Sequence, residues 1–488
     1  MTARRVPVVV ALLSLLVSAL EIAVPRYVGF YDSGVYLIAA NHFVAGLLPY
    51  RDFLFVQPPG GLVLFAPLGV VSHVAGYHAA LVAGRWLIAV VWALVVFLVG
   101  RLALRRGAYS ALVAGVVTAT APAAFSDSTW VKLEPVTLAL CLGAAVLVLP
   151  SLRSGLLRSR RLWFAGLLVG FGAGVKLWAA FAFVGLAVAA WSRYRRSSWR
   201  LWAGAALGFL GVVGPFFAAA PGSFWRMVVL DQLHRRAMAG ESLGLLVRVD
   251  LLLGFPPGAG LAGWVTLVAL VLLVGLVVSS WRRGWLRGPY GRFVLVSVVS
   301  VALMLLVSRE SFPYYYAFFV PYFALLLGAS LGPRLALARV GRLVAVLVAG
   351  AVVLCVALYG VVVRSGGYDP ANLAPLASLI PVSACVVYSV AAYGVQVDRV
   401  SDPRTCPDVL DSYATWFAAG YQTLAVPPAF QVRRWESWLA RARFFVLPSP
   451  RASNVPWSPR FDGWLRSHFG VRFDGPQLVV WERLGVVS

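Results

Sequence analysis

Long apolar runs broken by short polar segments dominate the first three quarters of the chain. A helix needs about 20 mainly apolar residues to cross the hydrocarbon core of a bilayer. Runs of this kind lie near 7–24, 78–100, 107–124, 135–150, 162–176, 177–192, 201–219, 260–279, 293–308, 314–332 and 343–363. They predict about eleven transmembrane helices. From about 366 the pattern changes. Short β-like stretches at Cys385–Val390, Arg443–Leu447 and Leu478–Glu482 alternate with helical patterns at Asp408–Ala419 and Val432–Arg441. That alternation predicts a small α/β domain. The expected organisation is a polytopic α-helical membrane domain over 1–365 followed by an α/β domain over 366–488.

Composition supports the membrane reading. The chain has 488 residues, 61% of them hydrophobic and only 12% charged. A soluble domain is about 45–50% apolar and about 25% charged, so a soluble globular enzyme and a disordered tail are both excluded. The net charge of +24, from 42 basic and 18 acidic residues, is high enough to raise nucleic-acid binding. The arginines, however, cluster between apolar spans: Arg4/Arg5, Arg101/Arg105/Arg106, Arg153/Arg158/Arg160/Arg161, Arg193/Arg195/Arg196/Arg200, Arg282/Arg283/Arg287/Arg292 and Arg334/Arg339/Arg342. With eleven spans, and 162–192 read as two of them, all these clusters fall on one side. The positive-inside rule makes that side cytoplasmic. The protein is then expected in the cell membrane with its N-terminus inside and its C-terminal domain outside, and no nucleic-acid partner is expected.

The same topology sorts the acids. The nine in residues 1–365 all fall at outer span ends or in outer loops. The outer loops are also the long ones, so the working face is expected to be extracytoplasmic. Lysine is nearly absent: Lys132 and Lys176 are the only two, which singles both out for attention. Cys141 and Cys355 lie in apolar spans and read as small core residues. Cys385 and Cys406 lie in the outer domain, where a disulfide is permitted. Closing their loop of about 20 residues would stabilise by about 3 kcal/mol; the alternative is two unpaired buried thiols.

The first outer loop carries the densest pattern. It contains Asp32 and Tyr36, then Gly46, Pro49, Tyr50 and Asp52, then Pro58, Pro59 and Gly60. Residues 33–46 read as an amphipathic helix along the interface, with Tyr36, Ala40, Phe43 and Leu47 on one face, and the apolar 62–75 segment reads as a second. Further along come Arg85 in the second span, an acidic short second outer loop, the series Gly166, Gly170, Gly174 and Lys176, and the aromatic entry Tyr314, Tyr315, Tyr316 and Pro321. In order and spacing this resembles the lipid-carrier-dependent glycosyltransferases of the GT-C fold. Those include the protein O-mannosyltransferases, the aminoarabinose transferases of lipid A, and the actinobacterial mannosyl- and arabinosyltransferases. The resemblance covers roughly 1–365. It implies an inverting glycosyltransferase with a polyprenyl-phosphate sugar donor and an extracytoplasmic acceptor, whether cell-envelope glycan, glycolipid or protein.

Such a transfer needs a base for the acceptor hydroxyl and positive charge for the departing phosphate. Asp32 is the candidate base; an N-cap on the following helix is the alternative reading. Asp52 is a further acidic candidate, or the partner of Arg51. The resemblance implies that the second outer loop brings another carboxylate to the site, either Asp127 or Glu134. Glu134-Pro135 also suits a helix start. Lys176 stands where the resembling family has a donor-phosphate contact, and interfacial snorkelling is the alternative. Arg309 and Arg85 are further phosphate candidates, Arg309 with Glu310 as an alternative partner. Tyr36 and Tyr315 are candidate substrate contacts, although Tyr314–Tyr316 also suit an aromatic belt. No metal is expected: the chain has no HExxH motif or zinc-ligand spacing, and a monophosphate donor does not demand an ion. No cofactor is required, and no Walker or dinucleotide fingerprint occurs. A lipid or glycan transporter or flippase is the competing class. Transporters tend to show two related halves, and none is visible here.

Overall fold

A computed structural model describes residues 3–23, 31–149, 156–234, 243–255, 263–337, 373–406, 410–417 and 427–485. The chain forms two compact units. One comprises Met1–Ala23, Trp86–Pro215 and Leu243–Val363; the other comprises Val24–Arg85, Phe216–Ser242 and Arg364–Ser488.

The first unit is helical and greasy on its outside. Its helices include α1 (Val6–Ala23), most of α4 (Tyr77–Ala103), α5 (Ala108–Thr120), α6 (Pro122–Thr129), α7 (Glu134–Val148), α8 (Leu156–Val175), α9 (Ala179–Tyr194) and most of α10 (Trp199–Ala219). Helices over Gly263–Arg282, Pro289–Val307 and Val320–Leu337 follow. Leu12, Leu16 and Leu20 on α1, Leu207 and Leu210 on α10, and Trp264, Leu267, Val271 and Leu272 beyond them are all exposed. Apolar side chains facing outward over whole helices are what a bilayer solvates. Among the described residues five helices are long and apolar enough to cross a membrane, and α5 with α6 would be a sixth, broken by a bend of 59°. The last expected span, 343–363, lies outside the described residues.

Two details differ from the sequence pattern. The second outer loop, expected over 125–134, begins as helix, because Pro122 starts α6 after the extended residue Ala121. Proline lacks the N–H that a first-turn residue would leave unused, and it pushes its predecessor out of helical geometry. The late aromatic entry is a 3₁₀ turn over Pro313–Phe318 rather than the start of the span. The expected division of 162–192 is present: α8 ends at Val175 and α9 begins at Ala179.

The glycines before Lys176 form a packing seam. A Cβ at Gly166 would meet the backbone of Leu201, Gly204 and Ala205, and one at Gly170 the backbone of Ala205 and Phe209. Gly204 and Gly208 on α10 lie equally close to the backbone of Trp163 and Leu167 on α8. Two facing small-residue stripes at four-residue spacing let the helices touch main chain to main chain. The seam sets the depth of α8, and so of the lysine at its end.

The second unit holds the loop expected to be the first outer one and the C-terminal region. Helix α2 (Tyr31–Val44) packs on α3 (Gly60–Ala75) and on the short helix Ala391–Gln396. Every residue from Ser33 to His42 is buried. This corrects the expected one-sided interfacial helix: α2 is covered on all sides, because Gly34 admits the backbone of Ala391 and Ala392, and Gly69 admits the Ala40 carbonyl. Helix α3 is one-sided, with Leu62, Phe65, Leu68 and Ser72 inward and Val63, Val70 and Val74 exposed.

Beyond residue 373, four strands pair in the order β1-β2-β4-β3: β1 (Val386–Tyr388), β2 (Phe444–Leu447), β3 (Phe469–Gly475) and β4 (Leu478–Arg483). β1 and β2 are parallel and the other pairs antiparallel. Val387, Phe445, Leu447 and Val479 face one apolar cluster and Val386, Phe444, Val446 and Val480 the other. Burial on both faces explains the unbroken apolar run of β2. A disulfide joins Cys385 to Cys406, with Cα atoms 5.4 Å apart.

Replacing Gly170 by Val should force α8 and α10 apart. Overpacking of this kind costs about 1–3 kcal/mol. Thermal unfolding in detergent should shift down by several degrees, whereas Gly211→Ala, which meets nothing within 4 Å, should leave the midpoint unchanged. Equal midpoints for both variants would contradict the seam.

Candidate functional site: two buried lysine–carboxylate pairs

Both lysines of the chain are buried in the first unit, and each meets a carboxylate. Lys132 Nζ lies 2.9 Å from Asp127 Oδ1, with neither side chain exposed to solvent. Lys176 Nζ donates to Glu134 Oε1, also within the interior. Each carboxylate feels both lysines, and the two acids feel each other, so the four charges form one electrostatic cluster. Aromatic rings close it. The Lys132 ammonium sits 3.3 Å from the centre of the Tyr314 ring. Lys176 sits 3.8 Å from the Trp178 ring and 5.1 Å from that of Tyr315. A desolvated ammonium over an aromatic face gains about 2 kcal/mol.

Local sequence explains the placement. The bend at Pro122 aims α6 so that Asp127 is fully buried. Four residues later the chain has left helix, and Lys132 folds back onto that carboxylate. Glu134 then opens α7 with Pro135 behind it, so its charge lies at the positive end of the helix dipole. Lys176 follows α8 directly, its backbone N–H bonded to the Gly172 carbonyl at 2.9 Å; a cation suits that end of a helix. The 3₁₀ turn Pro313–Phe318 supplies the tyrosines. Just before it, Arg248 caps the end of the helix Pro289–Val307, its guanidinium donating to the carbonyls of Leu305, Leu306 and Ser308, and also to that of Leu243. Trp178 and Tyr315 meet edge to face at 4.7 Å.

The other sequence candidates have different surroundings. Asp32 lies in the first turn of α2, half-buried. Tyr36 is a core ring of the second unit, beside Phe55 and Phe65. Asp52 is engaged by both Arg51 nitrogens, at 2.9 and 2.8 Å, and accepts from the Leu48 N–H at 2.7 Å. The Arg51 bond holds the Asp52 carboxyl below its usual range. Together these contacts close the turn in which Tyr50 takes a positive φ of 69°. Burial moves the His42 imidazole down to about 4, so it stays neutral, and raises the Tyr50 phenol well above its usual value. Arg309 is exposed and Arg85 half-buried. Among the described residues no group of three His, Cys, Asp or Glu side chains gathers as a metal site.

Lys132, Tyr314 and Arg248 belong to this arrangement, and none of them was among the sequence candidates. For Lys132 the signal was present in the scarcity of lysine. For Arg248 no spacing marks it, because all its carbonyl partners except Leu243 lie some 60 residues away in the chain.

Lys132→Ala should leave Asp127 buried without its cation, which costs about 3–5 kcal/mol. Lys132→Met combined with Asp127→Leu should recover most of that loss. Thermal unfolding of the single and double variants tests this, and a double variant no more stable than the single would show that the pair is not the relevant interaction.

No curated protein matches the sequence. Among solved structures the chain is similar to ArnT from Cupriavidus metallidurans bound to undecaprenyl phosphate, at 17% identity, covering 98% of each chain with a TM-score of 0.62. The apo state of the same protein gives 15% identity, 97% and 96% coverage and a TM-score of 0.63. The Archaeoglobus fulgidus oligosaccharyltransferase, solved with zinc and sulfate, gives 12% identity, 90% and 67% coverage and a TM-score of 0.53. These likenesses are of fold, and the fold is the GT-C fold expected from the sequence. Residues 55–309, more than half of the chain, match Glycosyltransferase family 87. This membrane-embedded chain, with its lysine–carboxylate cluster, belongs to glycosyltransferase family 87.

Proposed function

We propose that the protein is an inverting glycosyltransferase that moves a sugar from a polyprenyl-phosphate donor to an extracytoplasmic acceptor. The observation that carries this reading is the paired burial of Lys132 and Lys176 beneath aromatic rings in a chain of this family. The undecaprenyl phosphate bound to ArnT, which has the same fold, is a lipid of the proposed class. The working topology is eleven spans with the N-terminus inside and the sheet-bearing C-terminal region outside.

The reaction asks little of the protein covalently. The acceptor oxygen attacks the anomeric carbon and its proton passes to a base, while the bond from that carbon to the phosphate oxygen breaks. Asp32 is the proposed base. Lys176 is the proposed contact for the departing phosphate: an ammonium has three donors, and Glu134 takes one of them. Glu134 and Asp127, each tied to a lysine, act in this scheme as positioning groups that keep the two cations in place. Tyr315 and Trp178 present flat faces beside the phosphate site, suited to an isoprenoid or a sugar ring.

Incubating the purified protein in nanodiscs with a panel of polyprenyl-phosphate sugars tests the reading, with transfer or donor hydrolysis as readout. Asp32→Asn should lower turnover at least about a hundredfold, the usual contribution of a general base, with an unchanged unfolding midpoint. Lys176→Met combined with Glu134→Gln, which leaves no unpaired buried charge, should raise the donor KM more than the acceptor KM. Near-normal turnover of Asp32→Asn would remove Asp32 from the role, and no reaction with any lipid-phosphate sugar would sink the proposal.

A further inference from the structure

The second unit contains a cleft of about 410 Å³ that the lysine cluster does not explain. Its charged wall is built from Arg51, Asp52, Arg226, Asp411 and Arg434, with Trp438 beside them. These residues are remote in sequence: a turn of the first outer loop, a six-residue π-helical segment over Trp225–Leu230, and, in the C-terminal region, the segment 410–417 and the helix Ala429–Leu439.

The charges are unevenly satisfied. Arg51 and Asp52 neutralise each other. Asp411 accepts from the Tyr31 hydroxyl and the Ala414 N–H, each at 2.9 Å. Arg226 and Arg434 form no ion pair among the described residues. They lie near enough to repel: burial and then the Arg226 charge both disfavour the cation of Arg434, against a weaker attraction from Asp231. The Arg434 guanidinium lies 5.5 Å from the Trp438 ring. Two like charges held together at one concave surface cost free energy in the empty protein, and an anion placed between them removes that cost. A guanidinium pair beside a flat indole is also a fitting frame for a charged sugar, since arginine binds phosphate and carboxylate in bidentate fashion and aromatic faces stack on rings.

Location gives the cleft a role. Tyr31, bonded to the cleft residue Asp411, directly precedes Asp32. We propose that this cleft is the acceptor subsite and that Arg226 and Arg434 select an acceptor glycan bearing a phosphate or carboxylate. The proposal rests on the glycosyltransferase reading for its role, but the binding itself does not require turnover.

The test therefore measures binding. The full-length protein in phosphatidylcholine nanodiscs is titrated with a singly phosphorylated mannose disaccharide and with its dephosphorylated twin. The phosphorylated form should bind at least about tenfold more tightly, in line with a charge-assisted pair of hydrogen bonds. In Arg226→Gln combined with Arg434→Gln that preference should fall below about threefold. Because the repulsion between the two arginines is gone, the same variant should unfold no earlier than the wild type, and it should keep the wild-type rate of donor hydrolysis without acceptor. Equal affinity for the two disaccharides, or a preference that survives the double substitution, would overturn the proposal. So would a loss of donor hydrolysis with the preference intact, because the cleft would then serve the donor. If no lipid-phosphate sugar reacts but the phosphate preference is present and arginine-dependent, the transfer reading fails and the anion site stands.

Discussion

An ammonium group taken out of water needs a counter-charge within a few ångströms, or it gives up its proton or its place. This chain carries two lysines, and both are buried, so the structure around them is dictated by that need. Asp127 and Glu134 supply the two negative charges. Their positions depend on two prolines: Pro122 starts the short helix that buries Asp127, and Pro135 starts the helix that Glu134 opens. The glycine seam between α8 and α10 sets where Lys176 emerges. An arginine clamps the main-chain carbonyls at the end of the helix that leads to the tyrosine turn. Removal of any one partner leaves another buried charge exposed to a low dielectric, which makes the cluster a single unit.

That arrangement is electrically balanced: two ammonium groups face two carboxylates. In the proposed reaction, cations already fixed in place would stabilise the departing phosphate without reorganisation. The acids around the lysines lower the cost of holding cations in the interior. The second unit brings different equipment: a carboxylate at the start of α2, and an arginine cleft whose charges are not balanced in the same way.

Much of this was legible in the sequence where one physical rule dominates. Hydrophobic run length and arginine placement outline the membrane helices, because bilayer thickness and charge cost leave few alternatives. The break after Val175 follows from keeping the arginine clusters on one side. Glu134-Pro135 reads as a helix start from the chemistry of proline alone. Harder to read was anything decided by partners distant in the chain. The sequence of α2 reads as one-sided, but two glycines let other backbone cover its remaining faces. β3 went unrecognised: it is an edge strand with exposed residues such as Val471 and a bulge near Phe473, so its alternation is broken. Lys132 was visible as a rarity but not as a partner of Asp127, since the pair depends on a helix ending between them.

The most direct test of the central claim is photo-crosslinking with a diazirine-bearing polyprenyl phosphate, followed by mass-spectrometric mapping of the labelled residues. The account predicts label in the segments Lys176–Ala179 and Pro313–Phe318, suppressed by excess unlabelled polyprenyl phosphate. Label confined to other parts of the chain, with both of these segments unmarked, would contradict it.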